Sequence, residues 1–314
     1  MVYYWLHWLL YIREKGKLML NTQEYVTLVE EARKTGKGNR VWIELLKFLA
    51  VLISANLIMV FVGEIIKKVF FKELVINEDI SMLIQLYESV LGIGLVILYC
   101  CVIEKRTIMS MGFMKRHIFK QYIKGVCVGA LLISVIVLMG VLFNIFVFDG
   151  SNSNLNKKII LLFLVGFVLQ GFYEELVFRG FLMISIIRKN TILVAVVANS
   201  LLFGLTHGLN NGFQVLALFN LILFGIFESI YLLKTGNIWG VSAIHSMWNF
   251  IQGDIYGFNV SGMAQSQSMF IFKISNCEIF SGGTFGLEGS LLTTIVLLSA
   301  INMVILYNTD LQPQ

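Results

Sequence analysis

The sequence predicts an all-α, polytopic membrane protein with about eight transmembrane helices around an intramembrane polar cavity. Of its 314 residues, 57% are hydrophobic and 14% are charged. The mean hydropathy is +0.81, and the only proline, Pro313, lies at the C-terminal end. Several apolar runs reach the roughly 20 residues that a helix needs to cross a bilayer. This composition excludes a soluble globular protein, and no nucleic-acid-binding motif is present.

The apolar runs divide the chain into four predicted regions. Residues 1–42 form a cytoplasmic N-terminal extension, whose aromatic start at residues 1–12 predicts an interfacial segment. N-terminal transmembrane helices follow at 43–158, a central unit at 159–252, and an external loop with a last transmembrane helix at 253–314. The predicted spans lie roughly at 43–63, 82–103, 125–148, 159–187, 191–207, 214–233, 238–252 and 289–307.

The distribution of basic residues predicts the orientation. If the N-terminus lies in the cytoplasm, most lysine and arginine residues fall in inside segments, as the positive-inside rule requires. Both termini are therefore predicted to be cytoplasmic and the loop 253–288 external. The basic, amphipathic stretch 104–124 is predicted to lie on the inner membrane surface. The Ile-, Lys- and Asn-rich usage is typical of an AT-rich bacterial genome, which favours a bacterial plasma membrane.

Two carboxylates and a guanidinium lie inside the fourth apolar run, where a charge costs several kcal/mol. Glu175 and Arg179 are spaced i, i+4 with the acid first, which is the favoured order for a helical ion pair. Glu174 points about 100° away and has no such partner in its own helix. This pattern predicts one paired carboxylate and one that is free to act. The alternative is a charge cluster that only holds helices together.

Further polar residues lie in the later apolar runs. His207 ends one run, and His245 and Asn249 share a helical face in another. At about 1.5 Å per residue, these three residues and Glu174 reach compatible depths in the membrane. They are therefore predicted to converge in one cavity. Glu228 is a further buried acid, for which lining the cavity and pairing with a neighbour both remain open.

The three motifs together resemble the CAAX protease and bacteriocin-processing (CPBP, or Abi) family. The motifs are Glu174-Glu175-xxx-Arg179, Phe203-xxx-His207 and His245-xxx-Asn249, and a Thr235-Gly236-Asn237-Ile238 turn precedes the last of them. Members of this family are intramembrane proteases related to the type II CAAX prenyl endopeptidase. The resemblance covers roughly residues 159–252, which identifies this region as the catalytic core.

The resemblance implies an endopeptidase that hydrolyses a peptide bond in a membrane-associated protein or peptide. Glu174 and His207 would activate a water molecule, and His245 and Asn249 would hold the oxyanion. Glu175 and Arg179 would hold the helix and tune the site. The implied partners are such a substrate and the lipid bilayer, with no nucleic acid. Bacteriocin leader processing, self-immunity and regulated proteolysis are the roles suggested for the family.

The same residues leave two questions open. Glu174, His207 and His245 also make a familiar Zn²⁺ ligand set, so a metalloprotease and a metal-free glutamate mechanism are both consistent with the sequence. The rival function is a non-catalytic membrane protein, either an immunity or scaffold protein or a small transporter, that uses the cluster structurally. A transporter typically contains inverted repeats, and the sequence shows none.

Overall fold

The computed structural model describes residues 23–36, 38–70, 78–264, 267–274 and 277–306. The predicted interfacial segment at residues 1–12 and the C-terminal end, for which a cytoplasmic location is predicted, lie outside these residues. The described part is mostly helical. Its helices are α1 (Gln23–Arg33), α2 (Val41–Phe70), α3 (Glu78–Ile103), α4 (Ile118–Leu142), α5 (Lys157–Ile187), α6 (Ile192–Thr206), α7 (Val215–Thr235), α8 (Ile238–Phe250), α9 (Glu278–Ser281) and α10 (Leu291–Leu306).

Five of the described helices are long and apolar enough to cross a membrane, namely α2, α3, α4, α5 and α7. The other three predicted spans correspond to α6, α8 and α10, which have 15, 13 and 16 residues. At 1.5 Å per residue they are about 20–24 Å long, which is short of the ~30 Å hydrocarbon core. The predicted count of eight transmembrane helices is therefore not confirmed, although a helix lies at each predicted position.

A two-stranded antiparallel sheet accompanies the helices in the described residues, and the fold remains mostly helical as predicted. Strand β1 (Phe146–Ser151) pairs with β2 (Phe270–Ile274), with Phe146 opposite Ile274. The third predicted span ran to residue 148, but α4 ends at Leu142, and Asn144 adopts a left-handed conformation with φ 56°. The apolar run continues past this break because Phe146, Val147 and Phe148 are also apolar, but these residues favour a strand. Hydrophobicity alone does not distinguish such a strand from a continued helix.

Helix α8 occupies the interior and packs against α4 and α5. Every residue from Val241 to Phe250 is buried. Glycines on α4 allow the close approach, because a Cβ at Gly129 would collide with the carbonyl oxygen of Ile244. The polar residues of α8 are therefore enclosed by neighbouring helices.

The predicted surface stretch 104–124 is not one amphipathic element. It contains a 3₁₀ turn at Ile108–Met111 and the start of α4. Arg106, one of the basic residues of this stretch, is only 3% exposed. Its guanidinium donates hydrogen bonds to the carbonyl oxygens of Gly180 (2.9 Å) and Phe181 (3.3 Å) on α5. Arg106 thus braces the part of α5 that follows the two adjacent glutamates.

Candidate active site

Helix α5 presents the predicted ion pair. Arg179 Nη1 lies 2.9 Å from Glu175 Oε1, and both side chains are 0% exposed. Directly after Glu175 the helix widens into a π-helical segment, Leu176–Met183. Such segments occur frequently at functional sites. The Arg179 Nε and Nη2 atoms have no hydrogen-bond partner among the described residues, so Glu175 is the main compensation for this buried charge.

Glu175 also joins α5 to α8. His245 Nδ1 lies 2.8 Å from Glu175 Oε1, the atom that also accepts from Arg179. Because an ionised carboxylate only accepts hydrogen bonds, the proton on Nδ1 is assigned to this contact. The other ring nitrogen, Nε2, lies 3.7 Å from Glu174 Oε2. His245 therefore lies between the two adjacent acids.

A glycine makes this contact between helices possible. A Cβ at Gly171 would lie 2.6 Å from Ser246 Oγ and 2.8 Å from its backbone nitrogen. Cβ atoms in folded proteins essentially never have a non-bonded neighbour closer than 3.0 Å. The absence of a side chain at Gly171 lets the two backbones meet one turn before Glu175. The carboxylate of Glu175 then reaches the imidazole of His245.

Glu174 has a partner in its own helix, which corrects the expectation that it has none. Gln170 Nε2 donates a hydrogen bond to Glu174 Oε1. The amide oxygen of Gln170 accepts a hydrogen bond from Asn249 Nδ2 at 2.9 Å. Gln170 therefore links Glu174 on α5 to Asn249 on α8. The i, i+4 spacing of Gln170 and Glu174 was visible in the sequence. Glu174 Oε2 has no hydrogen-bond partner among the described residues.

His207 lies at the C-terminal end of α6, where its Nδ1 is 2.9 Å from the carbonyl oxygen of Phe203. The Phe203 ring lies 5.0 Å from the His207 ring and 5.9 Å from the His245 ring, between centroids. The Arg179 Cζ atom lies 4.6 Å from the centroid of the same ring, within the range of a cation–π contact. Phe203 therefore contacts the cation and both histidines, a role that the motif did not specify.

One cavity of about 610 Å³ brings most of these side chains together. Glu174, His207, His245 and Asn249 line it, with Gln170 beside them. Glu175 and Arg179 are not among the described residues that line it, but they contact His245 and Phe203, which do. Glu228 is also outside the lining; it is 0% exposed, and neither carboxylate oxygen has a hydrogen-bond partner in the described part of the chain.

The predicted Zn²⁺ ligands are not arranged as a metal site. Within the described ranges, no group of three or more His, Cys, Asp or Glu side chains is placed to hold a metal ion. His207 Nδ1 contacts a carbonyl oxygen and His245 Nδ1 contacts Glu175, contacts that metal-bound histidines also make through the ring nitrogen that does not bind the metal. In the arrangement of the described residues, however, Glu174, His207 and His245 are not gathered to hold Zn²⁺.

Comparison with known proteins agrees with the motifs. Residues 156–251 match the family model described as type II CAAX prenyl endopeptidase Rce1-like. This match confirms the resemblance to CPBP-family proteases and covers all three motifs. No curated protein sequence matches the chain. Together with the five helices of spanning length, the family match fits an integral membrane protein.

Proposed function

We propose that this protein is an intramembrane endopeptidase that cleaves a peptide bond in a membrane-associated protein or peptide, of the CAAX protease and bacteriocin-processing type. One observation carries the proposal, namely that Glu174, His207, His245 and Asn249 line the same cavity. They come from three different helices, and each has a side chain that peptide hydrolysis can use. The match of residues 156–251 to a protease family supports the same conclusion.

Glu174 is proposed as the base. Its Oε2 atom has no hydrogen-bond partner among the described residues, with His245 Nε2 at 3.7 Å, and is the acceptor available for a proton of water. His207, which lines the same cavity, would orient this water. Hydroxide adds to the substrate carbonyl while Glu174 takes the proton. When the tetrahedral intermediate collapses, the C–N bond breaks and Glu174 returns the proton to the leaving amine.

Asn249 and His245 are proposed to stabilise the oxyanion. Asn249 uses one N–H for Gln170 and retains a second. His245 donates from Nδ1 to Glu175, so its Nε2 atom is a donor only when the ring is protonated. The oxyanion role of His245 therefore requires an imidazolium. Glu175, which accepts from this ring, would stabilise that charge.

The decisive experiment is a cleavage assay with protein reconstituted in liposomes. The probes are a quenched fluorescent peptide with a farnesylated CAAX terminus and the same peptide without the prenyl group. Wild type is expected to cleave and Glu174→Gln to be inactive. Glu64→Gln is the matched control, because Glu64 lies on α2 and pairs only with Lys67 at 3.0 Å among the described residues. Equal cleavage by Glu174→Gln would overturn the mechanism, and an inactive wild type would favour the scaffold function.

Metal dependence is tested with the same preparations. The metal-free mechanism predicts that a chelator leaves cleavage unchanged and that active wild type contains no stoichiometric zinc. One equivalent of zinc in wild type and none in His245→Ala would instead identify His245 as a ligand. That outcome would reject the donor role proposed for its Nε2 atom.

A further inference from the structure

Gln170 connects two residues of the proposed site that lie on different helices. We propose that Gln170 is a positioning residue, which fixes the base Glu174 relative to the amide of Asn249 and sets the direction of the hydrogen bonds between them. The inference rests on the proposed function of those two residues. Gln170 would not touch the reacting atoms itself.

The geometry is a two-by-two arrangement of side chains across one helix interface. Gln170 and Glu174 are one turn apart on α5, and His245 and Asn249 are one turn apart on α8. Gln170 bonds to Asn249 at 2.9 Å, and Glu174 faces His245 at 3.7 Å. The bond from Gln170 Nε2 to Glu174 closes the α5 side. A displacement of Gln170 would therefore move the base and the amide at once.

The charge of Glu174 decides how the two amides are oriented. An ionised carboxylate only accepts, so it must face the NH₂ group of Gln170. The carbonyl oxygen of Gln170 then faces Asn249 and accepts from its NH₂ group. This leaves Asn249 bound through nitrogen, with a second N–H for an oxyanion. Without Gln170, the Asn249 amide is free to rotate and offer its oxygen, which repels an oxyanion.

The expected effect is on catalysis rather than on substrate binding. Loss of one preorganised donor to a developing oxyanion lowers kcat by about 10²–10³. Gln170 acts through such a donor, so we expect Gln170→Met to lower kcat by roughly 10–100-fold with KM within about twofold. Gln121→Met, the same change on α4 outside the described cavity lining, is the matched control and should leave both constants unchanged.

A double-mutant cycle tests whether Gln170 acts through Asn249. If it does, Gln170→Met combined with Asn249→Ala should lose little more kcat than Asn249→Ala alone. Gln170→Glu, which can still accept from Asn249 but adds a second acid beside Glu174, should shift the acidic limb of the rate profile to higher pH. Multiplicative losses in the cycle, or full activity of Gln170→Met beside an inactive Asn249→Ala, would overturn the inference.

A second measurement needs no substrate and separates the two proposals. Infrared spectra recorded over a pH series report the carboxyl band of Glu174, which is assigned by its loss in Glu174→Gln. The band belongs to the protonated carboxyl group and appears as the pH is lowered. When the Gln170 donor is removed, the band should appear at a higher pH, because the N–H bond favours the ionised form. An unchanged band overturns the positioning role. Failure of wild type to cleave either peptide, with a shifted band, would reject the proposed function while leaving the contact established.

Discussion

Replacement of Glu175 by glutamine tests whether Glu175 is the structural partner of Arg179 while Glu174 is the catalytic carboxylate. Glu175 Oε1 accepts from Arg179 at 2.9 Å and from His245 at 2.8 Å, in surroundings where both Glu175 and Arg179 are 0% exposed. A neutral amide leaves the Arg179 guanidinium without its counter-charge. Breaking a buried pair in this way costs about 3–5 kcal/mol. We expect Glu175→Gln to lose this much stability, together with activity.

The assay is chemical unfolding in detergent, with membrane expression level as a second readout. Glu174→Gln is the control, because the same chemical change at the neighbouring, partly exposed residue strands no cation. In the double variant Glu175→Gln with Arg179→Met, the stranded charge is removed, and most of the lost stability should return. If both single variants unfold like wild type and are equally inactive, the assignment of a paired and a free acid is wrong.

The remaining predictions concern four other regions. Asn249→Ala should lower kcat by about 10²–10³ with little change in KM in the peptide assay. Arg106→Ala should lower the free energy of unfolding by roughly 3 kcal/mol in detergent, because it leaves buried carbonyl acceptors on α5 without a donor. Burial, followed by the charge of Asp79, raises the pKa of Asp254 from 3.8 to about 8. Between these values only the folded state keeps the proton, so stability falls as pH rises through this window, and Asp254→Asn should flatten that fall in unfolding measured against pH. Cys277, which is exposed in the predicted external loop, should react with an impermeant maleimide added outside intact cells; labelling only after lysis would reverse the orientation.

Hydrophobic pattern predicted where helices form but not which of them have the length of a bilayer. The fourth span, predicted at 159–187, is α5 at Lys157–Ile187. The third was predicted to continue to residue 148, because the hydrophobicity of an apolar run does not distinguish a helix from the strand that begins at Phe146. The partner of that strand, β2, is more than a hundred residues away. Pairing over such a distance leaves no mark on local periodicity.

The sequence by itself determined the identities and spacing of the polar residues. The i, i+4 positions of Glu175 and Arg179 predicted their ion pair, since both lie on one helix and 3.6 residues make a turn. Contacts between helices were decided only by the tertiary structure. Gly171 permits the approach of α8, His245 then reaches Glu175, and Gln170 bridges Glu174 to Asn249. These contacts depend on the separation and rotation of two helices, which are set by packing along their whole length and not by any local motif.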